Sequence, residues 1–162
     1  MNDDKLIQLD RMRFAKNTLS ANLTYLAILF DVFFFISIYK SDVGSWYYQI
    51  LIGASVLYNL IFLLAAFLCS EGIKNYKVSY SYLMILLGII QIARIFILPA
   101  KAHAATVTIQ EQAVQVMGDG QFFRVSAYLV ASGVCLIAAA VIGYSRGKAL
   151  AEYNASLEAK AA

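Results

Sequence analysis

The chain has 162 residues, of which 61% are hydrophobic and only 14% are charged, with a formal net charge of +3. Soluble domains carry about 25% charged and about 45–50% apolar residues, so this composition excludes an ordinary soluble domain and indicates an integral membrane protein. The length predicts a single domain, and no basic block is dense enough to indicate nucleic-acid binding.

Residues 1–17 are predicted to form a short cytoplasmic helix. Leu6, Leu9 and Met12 share one face of this helix, with basic residues around them. This pattern is typical of an amphipathic helix that lies against anionic headgroups, but it also fits a solvated extension of the first membrane helix. The apolar run that follows is too long for a cleavable signal core, so we expect a retained anchor.

Four apolar segments are each long enough to cross a bilayer, at 18–39, 46–70, 78–99 and 123–145. About 20 helical residues cover a hydrocarbon core of about 30 Å. Because backbone groups in lipid must satisfy one another's hydrogen bonds, we predict an all-α integral membrane protein. Its architecture is a four-transmembrane-helix bundle with short amphipathic helices at the N-terminus, in the outer loop and at the C-terminus.

The outer loop, residues 100–122, is the longest connection. Apolar residues recur in it at helical spacing before Gly118-Asp119-Gly120 ends the pattern, which predicts an amphipathic helix on the outer surface. The spaced residues are Ala105, Ile109, Ala113 and Val116. Residues 106–109 and 113–116 also alternate in polarity, so an extended conformation is the alternative.

Lys and Arg predict the orientation. Nine lie in the N-terminal region, the loop between the second and third segments, and the tail 146–162, whereas three lie in the other connections. The positive-inside rule then places both termini in the cytoplasm, and we expect a bacterial inner or plasma membrane. The predicted aromatic belts are Trp46, Tyr47 and Tyr48 outside and Tyr76, Tyr80 and Tyr82 inside.

Asp31 and Arg94 each interrupt an apolar segment. A charge at the centre of a bilayer costs roughly 2.5–3.5 kcal/mol on insertion scales, so both side chains are expected to face the bundle interior. At 1.5 Å per residue, Asp31 lies about 12 Å and Arg94 about 8 Å below the outer ends of their parallel helices. This small difference in depth predicts a direct contact between the two side chains.

Other polar residues on the same helix faces predict an intramembrane network around this pair. Its predicted members are Asp31, Arg94, Gln91, Asn59, Ser55 and Thr24. Two roles remain open. The network either fixes helix register, at about 0.6 kcal/mol per interhelical contact, or forms a site for a ligand, ion or partner, as intramembrane ionisable groups commonly do.

The fourth segment carries a small residue at every fourth position, a ridge that lets another backbone approach closely. The ridge residues are Ala127, Ala131, Cys135, Ala139, Gly143 and Gly147. The ridge predicts either helix packing within the bundle or an interface with a second copy or another membrane subunit.

The sequence contains no recognisable catalytic signature for phosphate, dinucleotide or hydrolytic chemistry. Cys69 and Cys135 differ in predicted depth by about 13 Å, too far for a disulfide. His103 has no companion ligand, so neither a metal site nor a cofactor is expected.

The function expected from these features is that of a non-catalytic polytopic membrane protein, a subunit or accessory protein of a membrane complex. Its expected partners are the lipid bilayer and either a second copy or another membrane subunit. The alternative is a small-solute or proton-coupled transporter that works as a dimer, with Asp31 as the coupling carboxylate. A membrane enzyme is the third possibility.

Overall fold

The computed structural model of the chain describes residues 3–38, 46–109 and 112–161. Nearly all of these residues are helical, and four helical stretches are apolar and long enough to cross a membrane. The elements are α1 (Asp3–Phe14), α2 (Thr18–Ile38), α3 (Trp46–Lys74), α4 (Ser79–Ala93), a 3₁₀ turn (Arg94–Phe96), α5 (Pro99–Ala104), β1 (Thr106–Ile109), β2 (Gln112–Gln115) and α6 (Asp119–Ala161). The predicted helical architecture with four candidate spans is therefore confirmed.

The long helices form a four-membered bundle in which α6 packs against α2 and α4, and α3 packs against α2 and α4 from the opposite side. Two apolar clusters fill the interior. One contains Phe62 and Met84 at the end near α1, and the other contains Phe34 and Leu129 at the end near the hairpin. Asp31 and its predicted partner Arg94 lie between these two clusters, since Ala27 of α2 belongs to the first cluster and Phe34 of α2 to the second.

The bundle buries polar side chains and exposes apolar ones. Asp31, Gln91 and Ser132 are fully buried, whereas Leu57 and Leu64 of α3 are 60% and 62% exposed. A soluble helical bundle has the reverse distribution, with its apolar stripe inside and its charges outside. The outer surface of this bundle therefore matches an apolar solvent.

Gly88 of α4 and Gly133 of α6 lie against each other's backbone. A Cβ atom on Gly133 would lie 2.8 Å from the carbonyl oxygen of Gly88, and one on Gly88 would lie 3.0 Å from the carbonyl oxygen of Gly133. Side-chain atoms of Ile137 and Ile92 lie closer still, at 2.8 and 2.6 Å, but moving them would leave the backbone obstacle in place. This pair of glycines fixes the point where α4 and α6 cross.

The predicted small-residue ridge of α6 divides into two parts. Ala139, Gly143 and Gly147 are buried, and a Cβ on Gly143 would clash with Ile73 of α3. Ala131 and Cys135 are half-buried, and Ala127 is exposed. The end of the ridge near α1 therefore packs within this bundle, while the other end is only partly covered.

The predicted amphipathic helix in the outer loop is wrong. Its residues form an antiparallel hairpin in which Thr106 lies opposite Gln115 and Ile109 lies opposite Gln112. The run Thr-Val-Thr-Ile is β-branched throughout, and such side chains favour strands over helices. The alternating pattern, the competing interpretation, is confirmed. The only helix in the described part of this loop is α5, which begins with Pro99.

The tail is helical, as predicted, but it is not a separate short helix, because α6 continues without a break for 43 residues, from Asp119 to Ala161. At 1.5 Å per residue it is about 65 Å long, more than twice the thickness of a hydrocarbon core. Its last part is rich in Ala, Glu and Lys, which are strong helix formers, and it contains no proline. The fourth apolar segment and the tail are therefore one rod.

The N-terminal helix α1 is distinct from α2, so it does not extend the first apolar helix. It packs against α6, where Leu9 and Met12 line a cleft with Ser145 and Ala149. Of the predicted aromatic belts, the side chains of Trp46, Tyr47 and Tyr48 lie outside the described ones. Tyr76, Tyr80 and Tyr82 lie in the 75–78 turn and the first turn of α4, all at one end of the bundle.

We expect Gly133→Ala to lower the free energy of unfolding by about 1–3 kcal/mol, because an added methyl group overpacks a rigid contact. Gly53→Ala is the matched control, since a Cβ there has no atom within 4 Å. Unfolding in mixed micelles measures both variants. Equal stability of the two variants would contradict the assigned crossing point.

Candidate functional site

The charged pair predicted from the sequence is present. Arg94 opens the 3₁₀ turn that follows α4, and it is 4% exposed, while Asp31 in the middle of α2 is fully buried. The Nη1 atom of Arg94 lies 3.3 Å from Oδ1 of Asp31. The side chain of Arg94 therefore crosses the bundle interior to reach the helix diagonally opposite.

Arg94 also binds α3. Its Nη2 donates to Oγ of Ser55 at 2.6 Å, and its Nη1 donates to Oδ1 of Asn59 at 2.5 Å. Ser55 and Asn59 lie one helical turn apart and thus on one face of α3. The guanidinium therefore connects α2, α3 and α4 through charge-assisted hydrogen bonds, which are the stronger class.

Gln91 is the fourth polar member of the site. Its Nε2 donates to Oδ1 of Asp31 at 2.5 Å, and its Oε1 accepts a hydrogen bond of 3.3 Å from the Tyr58 hydroxyl. One carboxylate oxygen thus accepts from both Gln91 and Arg94. These bonds hold Asp31 against α4 from two positions one turn apart.

Two aromatic rings enclose the guanidinium. The central carbon of Arg94 lies 4.4 Å from the ring centroid of Phe34 and 4.5 Å from that of Tyr58. A cation–π contact in a desolvated setting contributes about 2 kcal/mol. The two rings cover the faces of the guanidinium while the polar groups bind its edge.

Thr24 does not join this network, which corrects the prediction. Its Oγ1 donates to the backbone carbonyl of Ser20 at 2.9 Å, one turn earlier in the same helix. Thr24 lies two turns from Asp31 along α2, so it supports its own helix instead. Sequence reasoning missed Tyr58 and Phe34. Each lies three residues after a predicted member, Ser55 and Asp31 respectively, and this spacing is the signal that could have found them.

Two buried atoms of the site have no hydrogen-bond partner among the described residues. They are Oδ2 of Asp31, which can accept, and Nδ2 of Asn59, which can donate. Both belong to side chains that share Nη1 of Arg94. A buried polar atom without a partner costs about 1–3 kcal/mol. The network therefore retains capacity to bind a group with both donor and acceptor character.

A cavity of about 160 Å³ reaches this network between α3 and α4. Its lining residues are Ala54, Ser55, Tyr58, Ile90, Arg94, Ile97 and Leu98. The walls are mainly apolar, and the polar atoms come from residues of the network. The cavity gives the ion pair an approach from the outer surface of the bundle.

The other candidate residues lie apart from this site. Cys69 and Cys135 are free thiols, and His103 lies near the hairpin with its Nδ1 3.1 Å from the carbonyl oxygen of Met117. Within the described ranges, no three His, Cys, Asp or Glu residues are grouped as metal ligands would be.

No family model matches the sequence, and neither a curated protein nor a solved structure matches it. The site therefore carries the functional argument by itself.

We expect Asp31→Asn and Arg94→Gln each to lower the free energy of unfolding by about 3–5 kcal/mol, because each leaves a buried charge without its partner. The double variant should recover most of that loss. Asp10→Asn with Arg13→Gln is the matched control, since this exposed pair at 3.5 Å contributes little. Unfolding in mixed micelles measures the cycle, and strictly additive losses would show that the two residues are not coupled.

Proposed function

We propose that this chain is a small non-catalytic membrane protein that crosses the bilayer four times and serves as a subunit or accessory protein of a membrane complex. Four apolar helices of sufficient length support the membrane location. The apolar outer surface and polar interior support it independently. The excess of basic residues near both termini supports a cytoplasmic location for them in a bacterial inner or plasma membrane.

The observation that carries the non-catalytic role is the arrangement of Arg94. Its charge is paired with Asp31, hydrogen-bonded to two residues of α3 and covered by two rings. Arg94 and Gln91 both donate to Oδ1 of Asp31, so this oxygen is engaged in contacts between helices. Among the described residues, Asp31 accepts hydrogen bonds from these two side chains, and neither is a nucleophile. This chemistry suits the positioning of helices.

The surface offers two places for a membrane partner. One is the broad apolar face of α3, where Leu57, Leu60 and Leu64 are at least 60% exposed. The other is the partly covered end of the α6 ridge, where Ala127 is exposed and Ala131 is half-buried. Small residues permit close contact between membrane helices, so a second copy or a different membrane subunit fits there. Lipid covers whichever face the partner does not.

Purification in a mild detergent tests the proposal, and the expected result is a stoichiometric complex with a second copy or another membrane protein. Leu60→Trp with Leu64→Trp should reduce the complex at least tenfold if α3 is the interface, because the added rings disrupt complementarity. Leu83→Trp with Leu86→Trp, on the exposed face of α4, is the matched control. A monomer that remains unpartnered in native membranes would contradict the subunit role.

A proton-coupled transporter is the second candidate, and it is favoured by the partnerless Oδ2 of Asp31 beside a cavity that reaches Arg94. Liposomes with an imposed pH difference provide the test. A proton-driven solute flux in the parent protein that Asp31→Asn abolishes, while the variant stays folded, would support transport over the accessory role. If small amines, sugars and anions are tested one after another and none shows proton-driven flux, while the complex stays intact, the accessory role is favoured.

A further inference from the structure

A second cavity, of about 290 Å³, lies at the end of the bundle that carries α1, away from the Arg94 network. Basic residues from two chain segments line it: Arg13 and Lys16 from the end of α1 and the following turn, and Lys74 from the last turn of α3. Tyr76 lines the third side. Three cations therefore converge on one pocket although they are separated in sequence.

Asn17 holds these segments in place. It is fully buried, and its backbone N–H donates to the carbonyl oxygen of Lys74 at 2.9 Å. Its Nδ2 donates to Oγ of Ser20 at 2.9 Å, and its Oδ1 accepts from Nη1 of Arg146 at 3.0 Å. One side chain thus ties the start of α2 to α6, and its backbone ties the same point to α3. The segments that carry Lys16 and Lys74 are therefore fixed relative to each other.

Tyr76 has a backbone conformation that normally selects glycine. Its φ is 57°, and the N–H groups of Tyr76 and Lys77 donate to the carbonyls of Ile73 and Gly72, which is the hydrogen-bond pattern of a helix-ending Schellman motif. A tyrosine at this left-handed position costs free energy that glycine would not. Gly147 receives the Tyr76 carbonyl, since a Cβ there would lie 2.9 Å from it. The turn at Tyr76 is thus held beside the cavity despite the strain.

The charges around the cavity leave an excess of positive charge. Arg13 has Asp10 at 3.5 Å, and Lys74 has Glu71 at 3.0 Å, whereas Lys16 forms no ion pair with a described carboxylate within 4 Å. Exposed ion pairs of this kind are weak and exchangeable. Burial raises the pKa of the Tyr76 hydroxyl, with a smaller opposing effect of Arg146, so this group stays protonated and can donate.

We propose that this cavity binds the phosphate group of an anionic phospholipid from the adjacent leaflet. The cavity lies where the apolar helices α2 and α3 meet polar chain, which is the depth of headgroups on the proposed membrane topology. Phe14 borders it and is 83% exposed, in position to enter the acyl region as an anchor. Basic pockets at this depth are typical headgroup sites. The inference rests on the proposed membrane location but not on the subunit role.

Titration of the detergent-solubilised protein with phosphatidylglycerol, followed by native mass spectrometry, tests the site, with phosphatidylcholine as the neutral comparison. Lys16→Gln with Lys74→Gln should weaken phosphatidylglycerol binding about 25-fold, at about fivefold for each basic residue lost. Lys148→Gln with Lys160→Gln removes the same charge from the same end of the molecule and should weaken it no more than about twofold. Equal losses in the two double variants would overturn the site.

Tyr76→Gly keeps the proposal testable if the lysine variant is unstable, because glycine suits the left-handed position. We expect it to preserve the melting temperature and to weaken phosphatidylglycerol binding severalfold, and unchanged binding would count against the site. Inorganic phosphate is the competing source. Inorganic phosphate could instead stabilise the protein against thermal unfolding in phosphatidylcholine nanodiscs. If the lysine and Tyr76 variants lose that stabilisation, a free anion is the ligand and the lipid assignment fails. The same spectra record the oligomeric mass, so failure of the subunit role is seen separately.

Discussion

The bundle depends on one constraint, which is that the guanidinium of Arg94 is buried in apolar surroundings. A buried charge is tolerated only when its hydrogen bonds and its counter-charge are supplied. Asp31 supplies the negative counter-charge, and Asn59 and Ser55 supply hydrogen-bond acceptors from a different helix. Each of these groups is useful at only one rotation of its helix. The requirement of one side chain therefore fixes the relative register of α2, α3 and α4, where apolar packing alone would permit sliding.

The sequence was sufficient for the contact between Asp31 and Arg94, because charge, helix rise and parallel direction together fix depth. It was not sufficient for Thr24. A threonine in a helix can satisfy itself with the carbonyl four residues earlier, and a local bond of this kind cannot be distinguished from an interhelical one by spacing. The rings of Phe34 and Tyr58 went unrecognised because aromatic residues are ordinary in apolar segments. In the outer loop, the sequence shows both a helical spacing of apolar residues and a run of β-branched residues. The strand preference of the β-branched residues determined the structure.

Helix packing shows a related limit. The regular ridge on α6 predicted which face of the helix carries small residues, but Gly133, which contacts Gly88 of α4, lies beside that ridge. A crossing point depends on the angle and rotation of the partner helix, and no single-helix pattern contains that information.

The two groups of polar residues in the molecule, the Arg94 network and the basic cavity near α1, differ in kind. The Arg94 network is buried within the bundle, whereas the cavity at Lys16 and Lys74 lies at its end and is positively charged, which suits binding from outside.

The separation of Asp31 and Arg94 along the chain has a consequence for biosynthesis. Arg94 is made 63 residues after Asp31, and at about 5–20 residues per second this interval is about 3–13 s. On the proposed topology, α2 enters the membrane with its carboxylate unsatisfied and must wait for α4. Helix α2 would therefore be held at the translocation machinery, or kept partly hydrated, until α4 arrives. Assembly of this protein would then begin from a pair of helices that are not neighbours in sequence.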